Sequence, residues 1–345
     1  MQAIVKYARG AGNVEIRQVE EPRPGPGQVQ VKVEMAGVCG SDLHIYHDEI
    51  AIAIKPPVIM GHEFSGVITE LGSGVEGLSV GDRVTCETTA RSCGVCLQCR
   101  MGHYNMCADR DVLGYAFDGC FARYCVVYQH QVHLLPANVD FGAGALTEPL
   151  ACCVHAVLEL TTISAGDLVV ITGPGPIGLL CLQLVKAAGG YAILCGTAQD
   201  AQRLALAGQL GADQTVDLGA QDIHELVYGL TAHQGADVFL ECAGAPPAAR
   251  LGLDLTRRGG QYTQIGLFSG PFELSFDRIA YKELRVTGSL GQRWTSWHKA
   301  LALMEQGKVN PQTLISHVLP ITEWQEAFRL SESREGLKIA LTPVD

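Results

Sequence analysis

The sequence has few aromatic and few charged residues, and it lacks long apolar runs and blocks of basic residues. Aromatic side chains account for 6% and charged side chains for 18% of its 345 residues. Since 25 basic residues face 36 acidic ones, the formal net charge is −11, and nucleic acid is not an expected partner. No apolar stretch is long enough to span a bilayer, and the first ten residues contain no signal-peptide core. We therefore expect a cytoplasmic protein with no membrane partner, whose 47% apolar residues allow a packed core.

Cysteine is abundant, and its thirteen copies cannot all form pairs. In a reducing compartment these cysteines are expected to be thiols, or thiolates on a metal. Four of them, Cys93, Cys96, Cys99 and Cys107, fall in CGVCLQCRMGHYNMC with gaps of two, two and seven residues. Four thiolates on one turning loop suit tetrahedral zinc and leave no open coordination position. The spacing predicts a structural zinc lobe at residues 93–107.

The hydrophobic pattern changes character twice along the chain. Up to about residue 150, short alternating segments and turn clusters are typical of antiparallel strands. From there, strands of five or six apolar residues alternate with helical stretches, among them a helix across 246–257, which predicts a parallel sheet with right-handed crossovers. After about residue 291, an amphipathic helix and a closing strand follow. The sequence therefore predicts an α/β protein with a β-rich domain at 1–150, an inserted doubly wound domain at 151–290, and a return to the first domain at 291–345.

A glycine-rich turn follows the first strand of the predicted parallel sheet. Strand 168–172 leads directly into GPGPIG, so that Gly173, Gly175 and Gly178 match G-x-G-x-x-G. The first glycine permits a tight turn, the second lets a pyrophosphate approach the backbone, and the third packs helix against strand. Helix 177–188 follows, and its start at Pro176 and Ile177 adds amide donors for phosphates. We predict a dinucleotide site here.

The end of the second parallel strand leaves the choice between NAD and NADP open. An acid about 20 residues after the glycines would bind an adenosine ribose. The sequence there, Gly196-Thr197-Ala198-Gln199-Asp200, has no carboxylate directly at the strand end. Asp200 could bind the ribose of NAD, whereas Arg203, beside the small neutral Thr197, could bind the 2′-phosphate of NADP. Both cofactors remain candidates.

Four further residues on turns or at element ends could hold a second metal ion. Cys39 lies in GVCGSDLH, His62 and Glu63 lie in GHEFSG, and Glu148 lies in TEPLACC. A catalytic zinc uses about three protein ligands of these types and keeps one position open. Each residue also has an ordinary alternative: Cys39 as core, Glu63 as a strand-end charge, and Glu148 as a helix cap.

The order of these motifs resembles that of the zinc-dependent medium-chain dehydrogenases/reductases over essentially the whole chain. It is most similar to their sorbitol (L-iditol), galactitol-phosphate and threonine dehydrogenase branch. There a second glutamate, here Glu148, stands where ethanol-type enzymes have a cysteine. The resemblance implies a GroES-like catalytic domain, an inserted Rossmann domain, and a catalytic zinc near Cys39, His62, Glu63 and Glu148. Which glutamate is the standing ligand stays open.

The resemblance also implies a reaction. Zinc lowers the pKa of a substrate hydroxyl, and the adjacent carbon gives a hydride to the nicotinamide of NAD or NADP. Ser41 and His44 match the family's proton relay; Glu63 or Glu148, through zinc-bound water, is the alternative proton acceptor. We expect the substrate to be a secondary alcohol of a polyol or sugar derivative, or its ketone. The alternatives are threonine oxidation and a catalytically silent nucleotide-binding protein, which would generally have lost the metal ligands.

Other positions come with the resemblance alone. The strand ends are expected to face the cofactor, and the candidate residues there are Cys242, Ala243, Gly266, Leu267, Ser289 and Leu290. Phe117, Gln292 and Arg293 are candidate substrate contacts by rough position. Related enzymes are commonly dimers or tetramers, so we expect a homo-oligomer, with the segment near residue 288 extending the sheet.

Overall fold

The structure, a computed structural model, describes residues 1–49 and 52–344. The chain forms two compact units, of which the first comprises Met1–Pro149 with Arg293–Asp345 and the second comprises Leu150–Gln292. Among the helices of the described residues, none has both the length and the apolar character that crossing a membrane requires.

The part of the first unit that precedes the second unit consists mainly of strands, joined by a few short helices. Its strands are β1 (Gln2–Lys6), β2 (Val14–Gln18), β3 (Gln28–Gly37), β4 (Val58–Ile59), β5 (Glu63–Leu71), β6 (Arg83–Cys86), β7 (Thr89–Arg91), β8 (Asp111–Val112), β9 (Tyr124–Tyr128) and β10 (Val132–Leu134). Its helices are α1 (Gly40–His47), α2 (Leu97–Arg100) and α3 (Phe141–Ala145), and α4 (Thr147–Val154) begins in the first unit and ends in the second. A π-helical segment, His155–Glu159, continues α4.

The second unit alternates strands and helices. In chain order these are β11 (Leu168–Thr172), α5 (Pro176–Ala187), β12 (Tyr191–Gly196), α6 (Ala201–Gln209), β13 (Gln214–Asp217), α7 (Ile223–Leu230), β14 (Ala236–Glu241), α8 (Pro246–Leu255), β15 (Thr256–Gln264), α9 (Asp277–Lys282) and β16 (Arg285–Gly288). The chain then returns to the first unit with α10 (Trp294–Glu305), β17 (Ile315–Pro320), α11 (Trp324–Glu332) and β18 (Lys338–Thr342).

The strands of the second unit form one parallel sheet in the order β13-β12-β11-β14-β15-β16. This is the doubly wound order, in which the direction of winding reverses beside the first strand. All five residues of β11 are buried, as expected for a central strand covered by helices on both faces. The carboxyl ends of β11, β12, β14, β15 and β16 therefore lie along one edge of the sheet, where such folds bind ligands.

The largest sheet of the first unit is centred on β3. Its order is β10-β6-β5-β3-β18-β17, and β9 also pairs with β3. At one end of β3, Gly37 lies opposite both Glu63 of β5 and Ala340 of β18. The sheet thus brings the last strand of the chain next to the segment that precedes Cys39. The apolar core against this sheet includes Phe64, which is 1% exposed.

Candidate active site and metal centres

The first candidate metal centre joins three residues at the ends of neighbouring elements. One sulfur, one imidazole nitrogen and one carboxylate oxygen, from Cys39, His62 and Glu63, all lie within 4.8 Å of one another. Cys39 is the N-cap residue of α1, and the other two residues stand where β5 begins. Gly61, just before them, has a φ of +88°, and a side chain there would overlap the ring of Phe121.

Two residues of α1 orient the imidazole of His62. Asp42 Oδ1 lies 3.6 Å from His62 Nδ1, while its Oδ2 accepts a hydrogen bond from the Cys39 amide at 2.9 Å. On the other side of the ring, Ser41 Oγ lies 3.3 Å from His62 Nε2. A carboxylate beside the second ring nitrogen is the usual partner of a metal-binding histidine. We did not single out Asp42 from the sequence, although its place three residues after Cys39 in CGSD was visible there.

A buried lysine faces Glu63. Lys338 Nζ lies 2.7 Å from Glu63 Oε1 and 2.5 Å from Oε2, and the two side chains are 5% and 0% exposed. Burial by itself would lower the pKa of Lys338, but the negative charges of Glu63, Cys39 and Glu148 outweigh it and raise that pKa. A side chain at Gly37 would overlap the carboxylate, so this glycine leaves the space in which the pair forms. Lys338 could not be identified from the sequence, because nothing local to LKIALTPV indicates a contact with Glu63.

Glu148, the other predicted carboxylate, lies in the first turn of α4 and is 8% exposed. Its charge contributes to the raised pKa of Lys338, but the group of ligand atoms that lie within 4.8 Å of one another comprises Cys39, His62 and Glu63 without Glu148. Sulfur, imidazole nitrogen and carboxylate oxygen at this spacing form the mixed donor set of a catalytic zinc. The residues present fit such an ion.

The second candidate metal centre lies in the loop that joins the antiparallel strands β7 and β8. The four thiol sulfurs of Cys93, Cys96, Cys99 and Cys107 lie within 4.8 Å of one another. Backbone amides point at them: the Cys96 amide donates to Cys93 Sγ at 3.3 Å and the Cys99 amide to Cys96 Sγ at 3.5 Å. The amide of Cys96, and then that of Val95, lower the pKa of Cys93 to about 6. The thiolate form of Cys93 is thus favoured, whereas the pKa of Cys107 in the same cluster is raised to about 11. Four sulfur donors at this spacing fit a closed structural zinc site.

The same lobe is anchored to a buried, hydrogen-bonded pair of side chains, Glu87 and His133. Tyr104 donates a hydrogen bond to Glu87 Oε2 at 2.5 Å, and Glu87 Oε1 lies 2.9 Å from His133 Nε2. The imidazole of His133 stacks on Trp297 of α10, with ring centroids 5.3 Å apart. Burial, together with the charge of Glu87, raises the pKa of Tyr104, which therefore remains a donor. These contacts attach the lobe to both β10 and α10.

The glycine loop of the second unit has the predicted local geometry. Gly173 has a φ of +86°, and a side chain there would overlap the backbone of Ala243. A side chain at Gly178 would overlap the carbonyl of Gly173, whereas one at Gly175 would meet nothing within 4 Å. The middle glycine therefore faces open space at the start of α5, as phosphate binding requires.

The turn after β12 uses its carboxylate internally. Asp200 Oδ2 accepts hydrogen bonds from the Thr197 amide at 3.0 Å and the Thr197 hydroxyl at 2.9 Å, and Asp200 is 8% exposed. Thr197 is exposed at the strand end, and Arg203 follows in the first turn of α6. The carboxylate that was one candidate for the ribose thus caps its own turn.

Six of the remaining predicted positions follow the carboxyl ends of β14, β15 and β16: Cys242, Ala243, Gly266, Leu267, Ser289 and Leu290. Among them, Leu267 is 82% exposed. His44 is exposed on α1, and Arg293 Nη1 lies 3.4 Å from His103 Nε2 of the zinc lobe. Gln292 is buried and accepts a hydrogen bond from the Cys152 thiol at 3.6 Å. Phe117 lines a cavity of about 390 Å³ with residues of β1, β4 and β9, which gives no support to a substrate contact.

A parallel dinucleotide-binding sheet, a mixed Cys–His–Glu cluster and a closed four-thiol lobe together define a zinc-dependent dehydrogenase. The chain belongs to the zinc-dependent medium-chain dehydrogenase/reductase family. Residues 25–137 match the alcohol dehydrogenase GroES-like domain, and residues 176–306 match the zinc-binding dehydrogenase domain. The predicted family, fold class, enzyme class and cofactor classes are confirmed.

Curated relatives match nearly the full length. A sorbitol dehydrogenase of Halalkalibacterium halodurans is 49% identical, with 100% of both chains covered. A D-arabitol-phosphate dehydrogenase of Enterococcus avium is 38% identical over 95% of this chain and 93% of the relative. An L-threonine 3-dehydrogenase of Pyrococcus horikoshii is 37% identical over 98% and 97%.

Solved structures agree with the fold. A zinc-binding dehydrogenase of Sinorhizobium meliloti, determined with NADP, is 34% identical with a TM-score of 0.92, covering 99% of each chain. Galactitol-1-phosphate dehydrogenase of Escherichia coli is 30% identical with a TM-score of 0.89, covering 99% of this chain and 100% of the other.

Proposed function

We propose that this protein is a zinc-dependent polyol dehydrogenase, which interconverts a secondary alcohol of a polyol or sugar derivative with its ketone. The observation that carries the proposal is the cluster of Cys39, His62 and Glu63, in a chain that is 49% identical to a sorbitol dehydrogenase over its full length. Relatives that act on phosphorylated polyols support the same substrate class.

In this proposal Cys39, His62 and a carboxylate from Glu63 or Glu148 hold the catalytic zinc. When bound there, the ion supplies a Lewis acid that polarises the substrate hydroxyl, and the nicotinamide accepts the hydride. Asp42 keeps the imidazole of His62 oriented, and the ammonium group of Lys338 pairs with the carboxylate of Glu63 beside it. Comparing zinc content in E63Q and E148Q identifies the standing carboxylate ligand.

The proton of the substrate hydroxyl needs a route to solvent. Ser41 is proposed to receive it, because its hydroxyl lies beside His62 within the cluster. His44, on the exposed side of the same helix, is proposed to pass the proton to water. Loss of turnover at low pH in H44A, with zinc content unchanged, supports this route, whereas an unaltered pH profile contradicts it.

NADP is proposed as a cofactor that this enzyme accepts. No carboxylate stands at the exposed strand end, because Asp200 is buried in its own turn and Arg203 follows nearby. A 2′-phosphate at this strand end has a cation, Arg203, in the first turn of α6. We expect R203A to lose roughly tenfold in NADP⁺ affinity, the value of one charge-assisted hydrogen bond, and little in NAD⁺ affinity. Failure of NADP⁺ to bind to the unaltered protein would overturn this proposal.

Turnover of a substrate panel with each cofactor tests the proposed reaction. Sorbitol, galactitol, sugar phosphates and threonine are followed by nicotinamide absorbance. We expect the highest kcat/KM for a polyol or polyol phosphate. A higher value for threonine would favour the activity of the threonine dehydrogenase relatives. Absence of turnover with zinc and cofactor both bound would favour the catalytically silent alternative.

The cellular location and the oligomeric state are proposed together with the function. The protein is proposed to be cytoplasmic and to form a homo-oligomer, a dimer or tetramer. Strand β16 supports the second point, because it is an edge strand of the parallel sheet and exposes Val286 by 45%. Light scattering after gel filtration gives the mass directly, and a monomer at micromolar concentration contradicts the proposal.

A further inference from the structure

Glu241 is a buried carboxylate that the proposed reaction does not use. It is the last residue of β14 and is 0% exposed. A carboxylate removed from water is strongly destabilising unless hydrogen bonds replace its hydration. In the part of the chain that the structure describes, no lysine or arginine forms an ion pair with it, so neutral donors must perform this task.

Those donors come from the turn that follows β14 and from the next strand. Oε1 of Glu241 accepts the amides of Ala243 at 2.9 Å and Gly244 at 3.0 Å, while Oε2 accepts the side-chain amide of Gln264 at 2.5 Å. The Thr172 hydroxyl, at the end of β11, lies 3.5 Å from Oε1. Both oxygens act only as acceptors, as those of an ionised carboxylate do.

The network extends through Gln264 to the end of β15. The side-chain amide of Gln264 also donates to the carbonyl of Gly266 at 2.7 Å, and the Tyr262 hydroxyl donates to Gln264 Oε1 at 2.5 Å. The Gly266 amide donates to the backbone carbonyl of Glu241 at 2.8 Å. One carboxylate thus connects the ends of β11, β14 and β15.

The connected segments are packed against the glycine loop. A side chain at Gly173 would overlap the backbone of Ala243, and a side chain at Gly266 would overlap the amide of Gly244. Gly244 itself has a φ of +62°, so its turn is held in a conformation that most residues avoid. The position of this turn therefore depends on the hydrogen bonds that Glu241 accepts.

We propose that Glu241 is a positioning residue for the dinucleotide. It fixes residues 242–244 and Gly266 beside the glycine loop, so that their backbone forms one rigid surface for the cofactor. The inference rests on the proposal that these strand ends face the cofactor. A preorganised surface binds more tightly because less conformational entropy is lost on binding.

The variant E241Q tests the inference, because it keeps the size of the side chain while replacing one acceptor oxygen with a donor. The new amide group must face the backbone donors of the turn or the donor of Gln264. We expect the Kd for NADH and NADPH, measured by nicotinamide fluorescence without alcohol, to rise about 10- to 100-fold, as for loss of a hydrogen bond to a charged group. The KM for alcohol and kcat at saturating cofactor should change little.

A double variant separates positioning from general stability. In E241Q/Q264E the amide and the carboxylate exchange places across the same hydrogen bond, so we expect part of the lost cofactor affinity to return. T263V is the matched control, because Thr263 is a buried residue of β15 that bonds Thr161 at 2.7 Å and is bonded to none of the turn residues. It should lower the melting temperature and leave the Kd unchanged.

The possible outcomes are distinct. If the unaltered protein binds neither reduced nucleotide, the proposed function fails together with the inference. If it binds them and folded E241Q binds them equally well, the inference alone fails. Should E241Q not fold, Q264L provides the test, since it frees Gly266 but leaves the amide bonds to Glu241; an unchanged Kd in Q264L then overturns the proposal.

Discussion

The four-cysteine lobe draws all its sulfur atoms from fifteen consecutive residues, whereas the cluster at Cys39 combines segments that lie far apart in the chain. The lobe cysteines are mostly half-buried, while His62 is 4% and Glu63 is 0% exposed. In the lobe, the backbone amides of the same loop orient the sulfur atoms. In the buried cluster, side chains of other residues contact the candidate ligands: Asp42 lies beside His62, and Lys338 pairs with Glu63.

Because of this difference, we expect the lobe to control stability and the buried cluster to control turnover. A loop that supplies its own ligands and its own donors stabilises its own fold, and four thiolates leave no position for substrate. The geometry of a cluster assembled by the sheet depends on the tertiary structure around it. Its mixed donors leave one coordination position open for substrate. Damage to the first should appear in stability, and damage to the second in turnover.

The largest effect is expected for C39S. Removing this sulfur should lower turnover at least about 1,000-fold, because Lewis-acid stabilisation of the transition state contributes several kcal/mol. Metal analysis should fall from about two zinc ions per chain to about one. The melting temperature should change little. A folded C39S that retains two zinc ions and normal kcat would remove Cys39 from the proposed site.

The next effect concerns the buried ion pair. K338M leaves the Glu63 carboxylate without its cation and should destabilise the protein by about 3–5 kcal/mol. Chemical denaturation before and after zinc chelation measures this, and the loss should be larger without zinc, whose charge would otherwise compensate. In K338M/E63Q, which removes the remaining charge, part of the stability should return. Equal midpoints for K338M and the unaltered protein would contradict the pairing.

C96S should show the opposite pattern to C39S. Loss of a structural zinc removes several kcal/mol from its domain, so we expect the melting temperature to fall by about 5–10 °C, at roughly 2–4 °C per kcal/mol. Turnover at 25 °C should stay within a few-fold of normal. C152S, which alters a cysteine outside both clusters, is the matched control. If C96S abolishes turnover and keeps its stability, the two centres have been assigned the wrong way round.

The smallest effect lies at the base of the lobe. In β8, hydrogen bonds from Lys55 and from Arg91 lower the pKa of Asp111. Both cations are more than half exposed, so D111N should cost only about 0.5–1 kcal/mol at pH 7. A carboxyl group whose pKa is lowered by folding stabilises the protein above its unfolded pKa, and this contribution is lost as the pH falls through the folded value. The stability difference between D111N and the unaltered protein should therefore shrink as the pH falls below the unfolded pKa of an aspartate, about 3.9. A difference that does not shrink as the solution is acidified would contradict the ion pairs.

Predictions from local pattern were accurate where a feature depends on consecutive residues. The predicted strand 168–172 coincides with β11, and the predicted helix 177–188 lies one residue from α5 at each end. The helix predicted across 246–257 ends at Leu255, because Thr256 begins β15. Thr256 pairs with Ala236 of β14, and this strand pairing ends the helix despite the helical spacing of apolar residues.

The orientation of side chains is less accessible to local pattern. The pattern offered Asp200 as a ribose ligand, but its carboxylate binds Thr197 in its own turn. Phe117 was a candidate substrate contact by position, and the structure places it in a separate cavity. Neither result follows from spacing, because both depend on how side chains orient after the backbone has folded.

The sequence by itself determined the family, the order of the domains, the thiolate lobe and the glycine loop, since each depends on residue types at short, fixed spacings. Only the tertiary structure decided that Lys338 meets Glu63, 275 positions earlier in the chain, and that Glu241 joins three strand ends. The register between β3 and β18 sets the first contact and the parallel register of β11, β14 and β15 sets the second. Strand register is fixed by packing of the whole sheet, which no local segment encodes.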